Sequence, residues 1–288
     1  MTAKAMFGPG GNSESFYAAG YKSTVDAPKF VREFGLDAYE YEAGNGVAAS
    51  VDTFRKIGEA AREHDIKLSI HAPYYISLSS GDEEKRKGSA PYIVASSQAL
   101  NAMGGELMVI HAGSTAKLDR AVALQYAKDA IYHALGVLSE NELYGFKLGI
   151  ETMGKVNQLG TLDEVLEMCS VDKTVVPVVD FGHMNAREQG GVFPTADEYK
   201  SVFDRISSAC GAQVAENLHC HFSKIEYTNG GEKRHLTFED ETYGPNFEPL
   251  MKAIADLGIS PTIICESNGT MAADALKMKK EYLSYLGK

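Results

Sequence analysis

Eight short apolar runs, each followed by a longer stretch of helical spacing, organise the chain. They are KAMFG (4–8), LDAYEYE (36–42), IKLSIH (66–71), ELMVIH (106–111), FKLGIE (146–151), TVVPVVD (174–180), NLHCHF (217–222) and PTIICE (261–266). Their length and β-branched content predict strands, while the segments 27–36, 51–64, 89–104, 118–140, 161–169, 195–210, 245–258 and 272–286 place apolar residues at helical intervals. Thr161 with Glu164, and Thr195 with Glu198, have the spacing of a capping box. Gly35, Gly104 and Gly258 follow helical runs, where a left-handed residue closes a helix. Alternation at intervals of roughly 30 to 45 residues predicts an α/β fold, a (β/α)8 TIM barrel formed by one domain over residues 1–288. An open doubly wound sheet is the competing arrangement, and it gathers ligands at one switch point between strands.

The polar residues that close these runs favour the barrel. His71, His111, Glu151, Asp180, His219 and Glu266 stand at or near strand ends, with His183 and His221 close by. Barrel closure brings all such ends around one mouth. Strand residues two apart share a face, so His219 and His221 both point inward, while Cys220 and Phe222 face the helix layer. By the same rule Glu266 shares the interior with Ile264, and Cys265 lies outside. Asp180 and His183 are three apart, which calls for a turn at Phe181-Gly182. Imidazole and carboxylate are the usual donors for zinc and manganese, so the mouth is a candidate metal site. His64 and His133 fall inside helical patterns and are read as surface or packing residues.

Composition narrows the class. At 288 residues and 44% hydrophobic content, the chain can bury a substantial core. No run of ~18 apolar residues and no signal-peptide pattern occur, so a cytoplasmic protein without membrane attachment, acting as a monomer, is expected. Cys169, Cys210, Cys220 and Cys265 form no CxxC pair, which favours free thiols. The formal charge of −11 argues against phosphate-rich partners, unless divalent ions in a cleft invert the local field.

The segments IHAPYY (70–75), VIHAGS (109–114), GIETMG (149–154), VVDFGHMNA (178–186), LHCHFSK (218–224), GEKRH (231–235) and IICES (263–267) come in an order that resembles endonuclease IV, the zinc-dependent apurinic/apyrimidinic endonuclease family, in its archaeal-type branch. The resemblance spans nearly the whole chain. It implies a barrel mouth holding two or three zinc ions, with manganese as the alternative metal. Positions matching His71, His111 and Glu151 hold one ion. Glu151, Asp180, His219 and Glu266 correspond to the ligands of a second, with Glu151 bridging. His183 and His235 match two ligands of a third, whose remaining family ligand is an Asp at the position occupied here by Lys233. A protonated lysine cannot donate to a metal, so His221 or Glu232 would have to complete that set.

The implied chemistry is phosphodiester hydrolysis, with Glu151 and Glu266 as the catalytic carboxylates: Glu151 fixes the metal separation and Glu266 orients or deprotonates the attacking water. The implied partner is duplex DNA with an abasic site, cut on its 5′ side. Tyr74 or Tyr75 would fill the gap left by the extruded sugar. Arg187, Lys224, Lys233 and Arg234, with Lys85, Arg86 and Lys87, are the candidate phosphate contacts, although Asp82 with Arg86 and Glu83 with Lys87 also read as a solvated helical face. The tetrad Glu151, Asp180, His219 and Glu266 equally resembles the one-metal site of sugar isomerases and epimerases on the same barrel. His71, His111 and His235 separate the two, because a one-metal epimerase does not require them.

Overall fold

The computed structural model describes residues 4–287. In chain order the elements are β1 (Met6–Pro9), α1 (Glu14–Ala18), α2 (Ala27–Glu33), β2 (Ala38–Glu42), α3 (Val51–His64), β3 (Lys67–His71), α4 (Glu83–Lys87), α5 (Ala90–Met103), β4 (Leu107–Ile110), α6 (Arg120–Glu140), β5 (Lys147–Glu151), α7 (Leu162–Cys169), β6 (Val175–Asp180), α8 (Phe181–Arg187), α9 (Ala196–Cys210), α10 (Ala212–Glu216), β7 (His219–Phe222), β8 (Lys224–Thr228), β9 (Gly231–Leu236), α11 (Glu248–Leu257), β10 (Thr262–Cys265) and α12 (Met271–Tyr285). Eight parallel strands pair in the order β1-β10-β7-β6-β5-β4-β3-β2. A parallel bridge between Gly10 and Glu40 joins the two end strands, with Gly11 N donating to Glu40 O at 2.9 Å. The result is a nearly closed eight-stranded parallel barrel with helices around it.

The helices form where their local signals place them. Ser50 caps α3 by accepting from Thr53 N at 3.2 Å, and Phe54, Ile57, Gly58 and Ala61 make the face it buries. Spacing of three and four residues puts these on one stripe, and a fully buried Phe54 contributes on the order of 1.5–3 kcal/mol. Both capping boxes form, at Thr161 with Glu164 and at Thr195 with Glu198. Tyr39, Ile70, Ile110, Ile150, Cys220, Phe222, Ile263 and Cys265 turn outward into the core between sheet and helices. Among the described residues no helix is long and apolar enough to cross a membrane.

Two features near the mouth differ from the sequence reading. Asp180 and His183 are related by helix α8, which starts at Phe181, instead of a turn: Asp180 is its N-cap and accepts from His183 N at 2.7 Å. Gly182 is required there by close approach, since a Cβ would lie 2.4 Å from Ser223 O. The segment after β7 forms an antiparallel hairpin, β8 with β9. Its turn docks on the loop after β5, where Glu232 N donates to Gly154 O at 3.0 Å, and a Cβ on Gly154 would meet Glu232 Cβ at 2.6 Å.

Candidate metal centre

Parallel register decides which inward residues meet. Asp180 pairs with His221, and Val178 with both Glu151 and His219. His221 therefore stands level with Asp180 at the mouth, and His219 sits one layer deeper. Where the expected set names His219, the structure groups His221 with Glu151, Asp180 and Glu266, and His219 with Glu40 and His221. His221 Nδ1 lies 2.9 Å from Glu151 Oε1 and 3.3 Å from Glu266 Oε1. His219 Nε2 instead meets Glu40 Oε2 at 2.9 Å.

Glu151 is fully buried and is the hub of the site. His111 Nε2 lies 2.7 Å and His71 Nε2 3.3 Å from its Oε2, and His183 Nδ1 lies 3.4 Å from its Oε1. A third group joins His183, Glu232 and His235, with Glu232 Oε2 at 3.4 Å from His183 Nε2 and Glu232 Oε1 at 4.0 Å from His235 Nε2. Glu232 and His235 share a face although they are three apart, because the ladder register shifts between Glu226 and Tyr227, leaving Lys233 as the extra residue of a bulge on β9. Lys233 and Arg234 turn to the other face, where both pair with Glu226.

The imidazoles are held by their far nitrogens. His71 Nδ1 lies 3.0 Å from Ala72 O, His183 Nδ1 3.0 Å from Thr152 O, and His235 Nδ1 2.8 Å from Ser223 Oγ. A carbonyl only accepts, so Nδ1–H of His71 and of His183 donates, while Nε2 of His71 turns toward Glu151 and Nε2 of His183 toward Glu232. Asp180 Oδ1 is spent on the helix cap, while its buried Oδ2 has no hydrogen-bond partner. Anchored far nitrogens, converging near nitrogens and an unspent carboxylate oxygen are what a divalent ion requires of its donors. The residues present fit zinc or manganese.

Without such ions, protons on the imidazoles balance the buried carboxylates. Burial would push His71 down, but the Glu151 hydrogen bond and the charges of Glu42, Glu151 and Glu40 raise it to about 10. Burial is likewise outweighed at His183, mainly by Asp180 and Glu151, and at His221, by Glu266, Glu40 and Glu151, so both rise well above the ordinary imidazole value. His71 and His111 compete for one oxygen of Glu151. The proton belongs on His71, which Glu42 also faces, while burial and the His71 charge hold His111 down. Burial and neighbouring carboxylates raise Glu266. Burial raises Glu42 to about 7, with Glu40 and Glu151 adding to it against His71 and His221.

The pocket over this cluster is about 550 Å³, lined by His71, His111, Glu151, His183, Glu232, His235 and Glu266. Tyr74 and Tyr75 also line it and are 60% and 55% exposed. The Tyr74 ring centre lies 5.6 Å from that of His71 and 5.5 Å from that of His111. The expected cations are not brought here. Arg187 donates to the carbonyls of Met153, Lys155, Gln158 and Val156, and Lys224 is buried against Asp240 O, because unpaired loop carbonyls capture long cationic side chains. Arg86 stacks on Tyr126 and Lys87 pairs with Glu83. Lys155, which sequence reasoning passed over, lines the pocket. Glu40 and Glu42 were also missed, although both belong to the E-Y-E alternation that ends β2.

Residues 28–282 match the family described as xylose isomerase-like TIM barrel. An uncharacterized protein of Methanocaldococcus jannaschii is 34% identical over 252 residues, covering 88% of this chain and 89% of its own. A protein of Acholeplasma laidlawii called probable endonuclease 4 is 28% identical over 211 residues, covering 66% and 69%. Among solved structures, a D-tagatose 3-epimerase-like protein superposes with a TM-score of 0.71 at 19% identity, covering 98% of this chain and 97% of the other. Endonuclease IV from Thermus thermophilus gives 0.66 at 17% identity, covering 98% and 99%. At these identities the two superpositions speak for the fold alone.

Proposed function

Since the chain belongs to the xylose isomerase-like TIM barrel family, we propose that its pocket is the active site of a metal-dependent phosphodiester hydrolase cutting duplex DNA on the 5′ side of abasic sites. The observation that carries this reading is the donor inventory. Beside the tetrad Glu151, Asp180, His221 and Glu266 stand His71 and His111 on Glu151, and the separate group of His183, Glu232 and His235. A one-metal epimerase does not require His71, His111 or His235. The relatives called probable endonuclease 4 lend support in the same direction.

In this reading His71, His111 and Glu151 would hold one ion, the tetrad a second, and His183, Glu232 and His235 a third. Zinc or manganese so held supplies Lewis-acid charge for a phosphate and makes water acidic enough to attack at neutral pH. The side chains do the rest. Glu266 is the tetrad member that lines the pocket beside Glu151, and it accepts the proton of the attacking water. Glu151, locked among four imidazoles, fixes the spacing of the donors around it. Tyr74, exposed beside His71 and His111, presents an aromatic face to the gap left by an extruded sugar. Lys155 at the pocket edge meets a backbone phosphate.

The tetrad alone also suits a sugar epimerase, in which Glu151 and Glu266, both within 3.3 Å of His221 Nδ1, pass a proton beside a carbonyl. Metal analysis of the purified protein, run beside incision of an abasic-site duplex with and without chelator, decides between them. Two or three ions per chain with chelator-sensitive cutting support the hydrolase. One ion, no cutting and turnover of a ketose would sink it.

A further inference from the structure

Glu40 lies on β2, one layer beneath the pocket, and is fully buried. Ser69 Oγ donates to its Oε2 at 2.7 Å, and His219 Nε2 lies 2.9 Å from the same oxygen. The other oxygen, Oε1, is 2.9 Å from His221 Nε2 but at an angle that makes no hydrogen bond, so both buried atoms stand without a hydrogen-bond partner. The two face each other at hydrogen-bond distance, and buried polar atoms are rarely left without a partner.

We propose that Glu40 is a positioning residue for the tetrad: it holds the Nε2–H of His221, fixing the tautomer and ring plane so that Nδ1 is the atom offered to an ion among Glu151, Asp180 and Glu266. The proposal rests on the metal reading above. Three observations carry it. When an ion takes Nδ1 from its contacts with Glu151 and Glu266, the one proton of the neutral ring sits on Nε2, and the group 2.9 Å from it, Glu40 Oε1, is a carboxylate oxygen that only accepts. Ser69 and His219 both bind Oε2, which aims Oε1 at His221. The barrel interior also accepts apolar side chains, as Val109, Val178 and Ile264 show by being fully buried, so a carboxylate is not needed there for packing. Carboxylates on the far nitrogen of a ligating imidazole raise its basicity and hold its orientation.

The test uses the full chain loaded with zinc, and with cobalt(II) as a spectroscopic probe. Long-range proton–nitrogen correlation of the zinc-loaded wild type should show His221 protonated at Nε2 and metallated at Nδ1. Glu40→Gln should weaken zinc binding about 10- to 100-fold and shift the cobalt absorption bands. Ser69→Ala, which loosens Glu40 without touching His221, should weaken binding to a smaller degree and keeps the test valid if Glu40→Gln does not fold. Metal on Nε2 of His221, as for an ion lodged between Glu40, His219 and His221, would overturn the proposal. So would a Glu40→Gln protein with wild-type affinity and spectrum. A wild type that binds neither ion overturns the metal reading as well, whereas normal metal loading that ignores Glu40 removes only the role of Glu40.

Discussion

Stripping the site of metal should make the protein lose stability as pH rises through the neutral range. The perturbation is removal of divalent ions by chelator, which leaves protons on His71, His183 and His221 as the counter-charges of the carboxylates. A group whose folded pKa is raised contributes stability below its unfolded pKa and loses it on the way up to the folded one. For His71 that window runs from about 6.5 to about 10. Between pH 7 and 8.5 the unfolded imidazole is mostly neutral and the folded one still charged, a difference close to one proton, which costs about 2 kcal/mol. His111, His219 and His235 are depressed in the folded state, by burial first, and offset a small part of that loss as the unfolded chain finishes titrating. His183, His221, Glu42 and Glu266, which in the folded state also hold protons that the unfolded chain has released, add to the loss. Ligating nitrogens must be deprotonated, so zinc-loaded protein should show no such loss and should release protons on loading. Urea unfolding of chelated and loaded protein at constant ionic strength, at pH 7.0 and 8.5, reads both slopes. Chelated protein whose stability is flat or rises over that interval would refute the charge assignment.

Three further outcomes follow from the geometry. His111→Ala removes the nitrogen nearest Glu151 and should lower abasic-site incision at least about 100-fold while sparing any ketose turnover, read in parallel assays. Glu232→Ala should lower the bound-metal count by one, whereas Lys233→Ala should leave it unchanged; equal counts in the two variants would contradict the bulge geometry. Arg187→Ala should cost about 2–3 kcal/mol of stability through its lost carbonyl bonds and leave the salt dependence of DNA binding alone, while Lys155→Ala should reduce that slope by about one.

Strands, helices and their caps are local, and the chain spells them out: alternation in LHCH, periodicity in VDTFRKIGEAA, hydroxyl and carboxylate three apart in TLDE. The face of a strand residue is legible for the same reason. Its height in the barrel is not. His219 and His221 share a face, and only the pairing of Asp180 with His221 tells which one reaches the mouth. Arg187 and Lys224 show a second limit, since a cation in the sequence carries no mark of whether a solvent phosphate or a backbone carbonyl will claim it. Glu40 and Glu42 were hidden by their tyrosine neighbours, which made the run read as an ordinary half-buried strand.

The bulge on β9 also makes the sign of the site's charge a matter of one residue. Were the hairpin to regain regular alternation, Lys233 would swing to the face of His235 and Glu232 would leave it. An ammonium group would then stand where a carboxylate now does, and a seat for a cation would become a seat for an anion. Neither the barrel nor any other donor would need to change. One slipped residue in a surface hairpin is thus a short path between a site that gathers metal and one that grips a substrate phosphate directly.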